Sequence, residues 1–251
     1  MKIVLLTALG VGGATVIGAV IGFMFKNLSH KFSDIILSFA AGVMLCAAAF
    51  GLILPSFEGG GAFSVYVAIA GIFCGAIVLN LADKAVPHLH RLSGAEIEEH
   101  TQKNETLNKV LLFVMAIAIH NLPEGIAAGV GFGTGNTTEA LTIAGGIALQ
   151  NIPEGMVIIA PMLAAGMSKK RTLAIAALTG AVEVVGTFLG YFAVSISGAI
   201  LPFALAFAGG TMLYVISDEM IPETHSHGGE RGATYALLAG FSLMLLIDFY
   251  L

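Results

Sequence analysis

Eight apolar runs, at about 3–25, 33–54, 62–82, 109–131, 140–162, 172–193, 199–217 and 233–250, make up most of the chain and decide what it is able to fold into. Each approaches the roughly 20 apolar residues that an α-helix needs to cross the hydrocarbon core of a bilayer. Only 11% of the residues are charged, against about a quarter in a soluble domain. That is too little polar surface to cover a water-soluble fold, and the same figures exclude a disordered chain or a nucleic-acid-binding one. Membrane-spanning backbone has two solutions, helices and closed barrels. Barrel strands read as roughly ten-residue segments of alternating polarity, and none occur. The expected fold is all-α: one polytopic membrane domain over 1–251 with eight transmembrane helices. The first run is too long for the apolar core of a signal peptide and reads as a span. Cys46 and Cys74 both sit inside apolar runs, which argues against a disulfide framework.

The basic residues give an orientation. Lys26 and Lys31 lie between runs one and two; Lys84, Arg91, Lys103 and Lys109 between three and four; Lys169, Lys170 and Arg171 between five and six; Arg231 between seven and eight. The alternate segments 55–61, 132–139 and 194–198 hold no Lys or Arg, and Lys2 is the exception. The positive-inside rule then places the basic segments in the cytoplasm and both termini outside. The longest segment, 83–108, carries His88 and His90, and the stretch after run seven carries His225 and His227. Either set fits loose metal binding or a plain solvated loop. Asp83, Asp218 and Glu219, at the cytoplasmic ends of their runs, fit an ion exit or ordinary interfacial residues.

One pattern stands out inside the apolar runs. His120-Asn121-Leu122-Pro123-Glu124-Gly125 in run four is repeated as Gln150-Asn151-Ile152-Pro153-Glu154-Gly155 in run five, 30 residues on. Residues four apart share a helix face, so His120 aligns with Glu124, and Gln150 with Glu154. Pro123 and Pro153 withhold an amide proton and press on the carbonyls of Ile119 and Leu149, which predicts kinks at the polar turns. Both turns lie roughly 16–18 Å from the start of their spans at about 1.5 Å per residue, near mid-bilayer. Glu183 and Met44 fall at a similar level. Ionisable groups at that depth mark ion sites, proton relays or pathways.

One imidazole, three carboxylates and the amides of Asn121, Gln150 and Asn151 form a mixed nitrogen and oxygen donor set, suited to Zn2+, Fe2+, Mn2+ or Cd2+ rather than Cu+. Carboxylates packed this closely need cations or protons to neutralise them. Met44 offers a thioether ligand or simple core packing.

The paired motifs resemble those of the ZIP (Zrt/Irt-like) divalent-metal transporters, near their prokaryotic GufA-like branch, and the resemblance covers nearly the whole chain. It implies uptake of zinc, and of iron, manganese or cadmium, into the cytoplasm, by a homodimer in the plasma or inner membrane. It also implies a binuclear centre bridged by Glu124 and Glu154. His120, Gln150 and Met44 would complete one site, and Asn121, Asn151 and Glu183 the other. Spans one, four, five and six would carry the metal against two, three, seven and eight. Two positions depart from the pattern: many relatives have His where this chain has Gln150, and some have Asp where it has Asn151.

The metal ions are substrate, with membrane lipid as the surroundings and no organic cofactor expected. No phosphate-binding glycine loop occurs, so ion gradients rather than ATP would drive a carrier. A metal-selective channel is one alternative, and an intramembrane metalloenzyme another, although the His-Glu-x-x-His signature of many such enzymes is missing.

Overall fold

The computed structural model describes residues 1–25, 29–58, 61–92 and 102–250, with backbone alone described at 62, 86–92, 102–113 and 116. The described residues form eight long helices: α1 (Lys2–Gly22), α2 (His30–Phe57), α3 (Gly61–Leu92), α4 (Gln102–Gly131), α5 (Thr137–Ala164), α6 (Lys169–Ile196), α7 (Gly198–His225) and α8 (Glu230–Tyr250). Among the described residues no strand is present, and seven of the helices are long and apolar enough to cross a membrane; α4, at 30 residues, is the eighth long helix.

Local chemistry starts and stops them. The side chains of Ser29, Asn136 and Ser168 cap α2, α5 and α6 by accepting from backbone amides of the first turn, which supplies partners for donors a helix start leaves unpaired. Gly135, at φ 77°, turns the chain from α4 to α5. The helices run past the apolar runs at their polar ends. Thus α3 continues to Leu92 and α4 begins at Gln102, so most of the segment expected as a loop over 83–108 is helix. Charge and histidine end a hydrophobic run without ending a helix, because Lys, Glu and Arg are good helix formers.

Two helices change pitch. In α2 the stretch Ala47–Ile53 is π-helical, and in α7 the stretch Ile216–Met220 is too. A proline follows each, Pro55 and Pro222. Neither can donate to the carbonyl four residues earlier, and its ring crowds that carbonyl, so wider hydrogen bonding takes over. Pro123 and Pro153 lie inside α4 and α5, and α5 is interrupted at Ile158, between α-helical Thr137–Val157 and Ile159–Ala164, where the amide keeps only a long 3.4 Å bond to the Glu154 carbonyl.

The helices sort into two bundles by how closely their backbones meet. In the first, Gly12 of α1 lies against the Gly180 carbonyl of α6, Gly155 of α5 against the Thr15 carbonyl of α1, and Gly125 of α4 against the Glu183 carbonyl of α6. In the second, Gly42 of α2 meets the Leu237 carbonyl of α8, and Gly210 of α7 meets the Ile72 carbonyl of α3. A Cβ at any of these would collide with backbone. Between the bundles, glycine meets side chains instead, as Gly51 of α2 meets Ile143 of α5 and Gly146 of α5 meets Met244 of α8. Helices α1, α4, α5 and α6 are thus joined through small-residue seams, as are α2 with α8 and α3 with α7, while side chains fill the contact between these last two pairs, where Gly209 of α7 meets Ile53 of α2, and the boundary with the first bundle.

Candidate metal centre

Both proline-containing turns and the middle of α6 converge in the first bundle, facing α7 of the second. Their polar side chains are buried: His120 is 7% exposed, Glu154 5%, and Asn121, Glu124, Gln150, Asn151 and Glu183 1% or less. Gln150 Nε2 donates to Glu124 Oε1 at 2.8 Å, joining the two copies of the motif. Glu183 is met by three donors: Thr15 Oγ1 at 2.6 Å and Asn121 Nδ2 at 2.7 Å on Oε1, and Asn151 Nδ2 at 2.5 Å on Oε2. Its charge is therefore already solvated by protein.

The amide nitrogens are consumed in this network, and their oxygens are left over. Asn121 Oδ1, Glu124 Oε2, Gln150 Oε1, Asn151 Oδ1 and Glu154 Oε1 are buried and accept no hydrogen bond from the described residues. An orphaned buried polar atom costs about 1–3 kcal/mol, more when charged. Five acceptors with no donor are what a cation satisfies, and hard oxygen with one imidazole suits a divalent ion of borderline softness.

Glu219 enters this centre from α7, a placement the sequence did not reveal. It was expected at a span end, yet α7 continues past it and the π-helical stretch brings its Oε2 to 3.3 Å from His120 Nδ1. Because a carboxylate only accepts, that contact puts the proton of a neutral imidazole on Nδ1 and leaves the Nε2 lone pair facing Glu154 Oε2 at 4.0 Å. Two bonds of about 2.0–2.1 Å at a tetrahedral angle hold their ligand atoms about 3.3–3.4 Å apart, so the two side chains must draw slightly closer to share a Zn2+ ion. The one local signal available was Pro222, three residues on, the spacing at which Pro123 and Pro153 follow His120 and Gln150, and it was not read.

The other candidates separate. Met44 is fully buried in the main apolar cluster with Ala40, Ala48 and Ile147. Asp83 on α3 is half-buried, within electrostatic range of Glu219, His120 and Asp218, and Asp218 is exposed. His225 is taken up locally, Nδ1 at 2.8 Å from the Ile221 carbonyl and Nε2 at 3.3 Å from Thr234 Oγ1. His227 faces Asp34, at 3.2 Å. The side chains of His88 and His90 lie outside the described residues. Among the described residues no three His, Cys, Asp or Glu side chains converge as a preformed metal cage.

A cavity of about 70 Å3, lined by Leu37, Ile117, His120, Glu154, Val157, Glu219, Met220 and Glu223, runs from the centre to the exposed Glu223. On the opposite side, Ala48 and Leu52 of α2, Ala127 and Val130 of α4, Ile143 and Ile147 of α5, and Leu205 of α7 pack together as an apolar plug.

Fold and site define a polytopic helical membrane protein with a buried, cation-seeking centre reached from one end. The family described as ZIP Zinc transporter matches residues 1–248. Similar proteins include the zinc transporter GufA of Myxococcus xanthus, 41% identical with 97% of both chains covered. The zinc transporter ZIPB of Bordetella bronchiseptica is 36% identical over 94% of this chain and 77% of that one. The human zinc transporter ZIP11 is 30% identical over 94% of this chain and 93% of that one. The chain belongs to the ZIP family, and it is a metal transporter, not an enzyme.

Proposed function

We propose that this chain carries Zn2+ into the cytoplasm by alternating access, with Cd2+, Fe2+ and Mn2+ as competing ions. The observation that carries the reading is the set of five buried acceptor oxygens without donors among the described residues, all contributed by the two motif copies. His120, Glu124, Gln150 and Glu154 bind the transported ion. A second, weaker position lies at Asn121, Asn151 and Glu183, bridged through Glu124 and Glu154; it is weaker because three hydrogen bonds already neutralise Glu183.

The glycine seams support alternating access, since they lock α1, α4, α5 and α6 together, α2 to α8 and α3 to α7, while deformable side chains fill the boundary between the two sets. With the basic end in the cytoplasm, the cavity past Glu219 and Glu223 is the inward release path and the apolar plug is the outer seal. Asp83 and Asp218 add negative charge to that path. Uptake of radioactive zinc into proteoliposomes tests the reading. Saturable uptake that disappears in Glu124→Ala is the expected result, and uptake equal in both proteins would sink it.

A further inference from the structure

Among the described residues, Asp34 is the one buried carboxylate away from the centre. It is 4% exposed, near the start of α2. Its Oδ1 lies 3.2 Å from His227 Nδ1, while its Oδ2 is buried and has no partner among the described residues. His227 belongs to the turn between α7 and α8, where Gly228 at φ 76° swings the chain back over α2. The exposed ring of His30 stacks on that of His227, centroids 4.8 Å apart and planes 22° from parallel. Two imidazoles from separate segments are thus gathered over a buried carboxylate that still has an oxygen to satisfy.

We propose that His30, Asp34 and His227 form a divalent-cation site at the mouth of the release cavity, separate from the central cluster. Two neutral imidazoles and one carboxylate are a three-ligand set typical of Zn2+ with an open fourth position. The three side chains do not yet converge on one point. His30 is exposed and held by stacking alone among the described residues, so turning its ring brings a nitrogen onto the ion that Asp34 and His227 hold. The position fits the path: Leu37, one helical turn beyond Asp34 on α2, and Glu223, four residues before His227, both line the cavity. An ion passing Glu223 meets these ligands next. Sequence distance hid the site, because Asp34 and His227 are 193 residues apart.

The test is zinc binding to the purified full chain, which reports on this site whether or not the central cluster transports. In a Glu124→Ala/Glu154→Ala background we expect one Zn2+ per chain to remain, with two imidazole ligands in its X-ray absorption spectrum. Adding His227→Gln or His30→Gln should weaken that ion at least about tenfold and remove one imidazole from the spectrum, as loss of a direct ligand costs no less than loss of a supporting one. Both histidines are exposed, so these variants are expected to unfold at the parental temperature; Asp34→Asn is the third arm. The proposal is overturned if the double variant binds no zinc, or if the remaining ion is unchanged by the His30 and His227 substitutions and so belongs to the histidines between α3 and α4. Failure here leaves the uptake result for Glu124→Ala untouched, so the two readings stand or fall separately.

Discussion

At the scale of single residues, the centre is governed by which atoms are already satisfied. Glu124 and Glu154 each keep a buried oxygen with nothing to accept from, whereas both oxygens of Glu183 are engaged. Truncating Glu154 to Ala should therefore abolish saturable zinc uptake with the protein still folded. Glu183→Gln should act through stability, because its new amide group faces the nitrogens of Asn121 and Asn151. In the proposed site Glu219 stands one step back from the ion, its contact with Nδ1 favouring the His120 tautomer that frees Nε2. Glu219→Gln keeps an acceptor opposite Nδ1 and should retain most uptake, while Glu219→Ala should raise the KM for zinc about 10–100-fold, the usual cost of losing a ligand's supporting partner. Equal KM values for the two variants would show that orientation of His120 is not what Glu219 provides. Gln150→His replaces an amide oxygen with a softer nitrogen donor and should alter the ratio of zinc to cadmium uptake; an unchanged ratio would remove position 150 from selectivity.

The helices show what was legible beforehand and what was not. Eight spans, the doubled motif and its burial followed from the apolar runs and the i, i+4 spacing, because lipid penalises every exception to those patterns. Helix ends did not follow: beyond the bilayer polar residues extend a helix without penalty, and α3 and α4 do so. Nor did the pairing of Glu219 with His120 or of His227 with Asp34, since partners on different helices leave no periodic trace. The seams are an intermediate case, with small residues visible in sequence but not their partners. A Cβ on Gly125 meets the Glu183 backbone, where nothing flexible can yield. Gly125→Ala should cost about 1–3 kcal/mol, the range for overpacking, and lower the unfolding temperature in detergent. Gly145→Ala, whose Cβ would have open space, should leave it unchanged. Ala is the better helix former, so helix propensity cannot lower either value, and a fall of the same size in both would show that the α4–α6 seam does not set the cost.

For the whole molecule, the decisive contrast is between boundaries. Within the first bundle backbone rests on backbone, as it does between α2 and α8 and between α3 and α7, and sliding one of these helices past its partner would break several such contacts at once. Across the boundary, Gly51 of α2 touches the Ile143 side chain of α5, and Ala48, Leu52, Ile147 and Leu205 form an apolar surface with no polar partner to lose on parting. The cavity reaching His120 and Glu154 lies at the other end of this same boundary. A carrier that opens alternately must separate the plug while closing the cavity, so locking the bundles together at the plug should stop transport without disturbing the site. With the two native cysteines replaced by alanine, a Gly51→Cys/Ile143→Cys protein should take up zinc when reduced, lose uptake on oxidation and regain it with reductant. Zinc binding should persist in the oxidised form, because the central ligands are all in place and accessible from the cavity. Full uptake by the quantitatively cross-linked protein would mean that ions pass without relative motion of the bundles, and a channel through this boundary would replace the carrier.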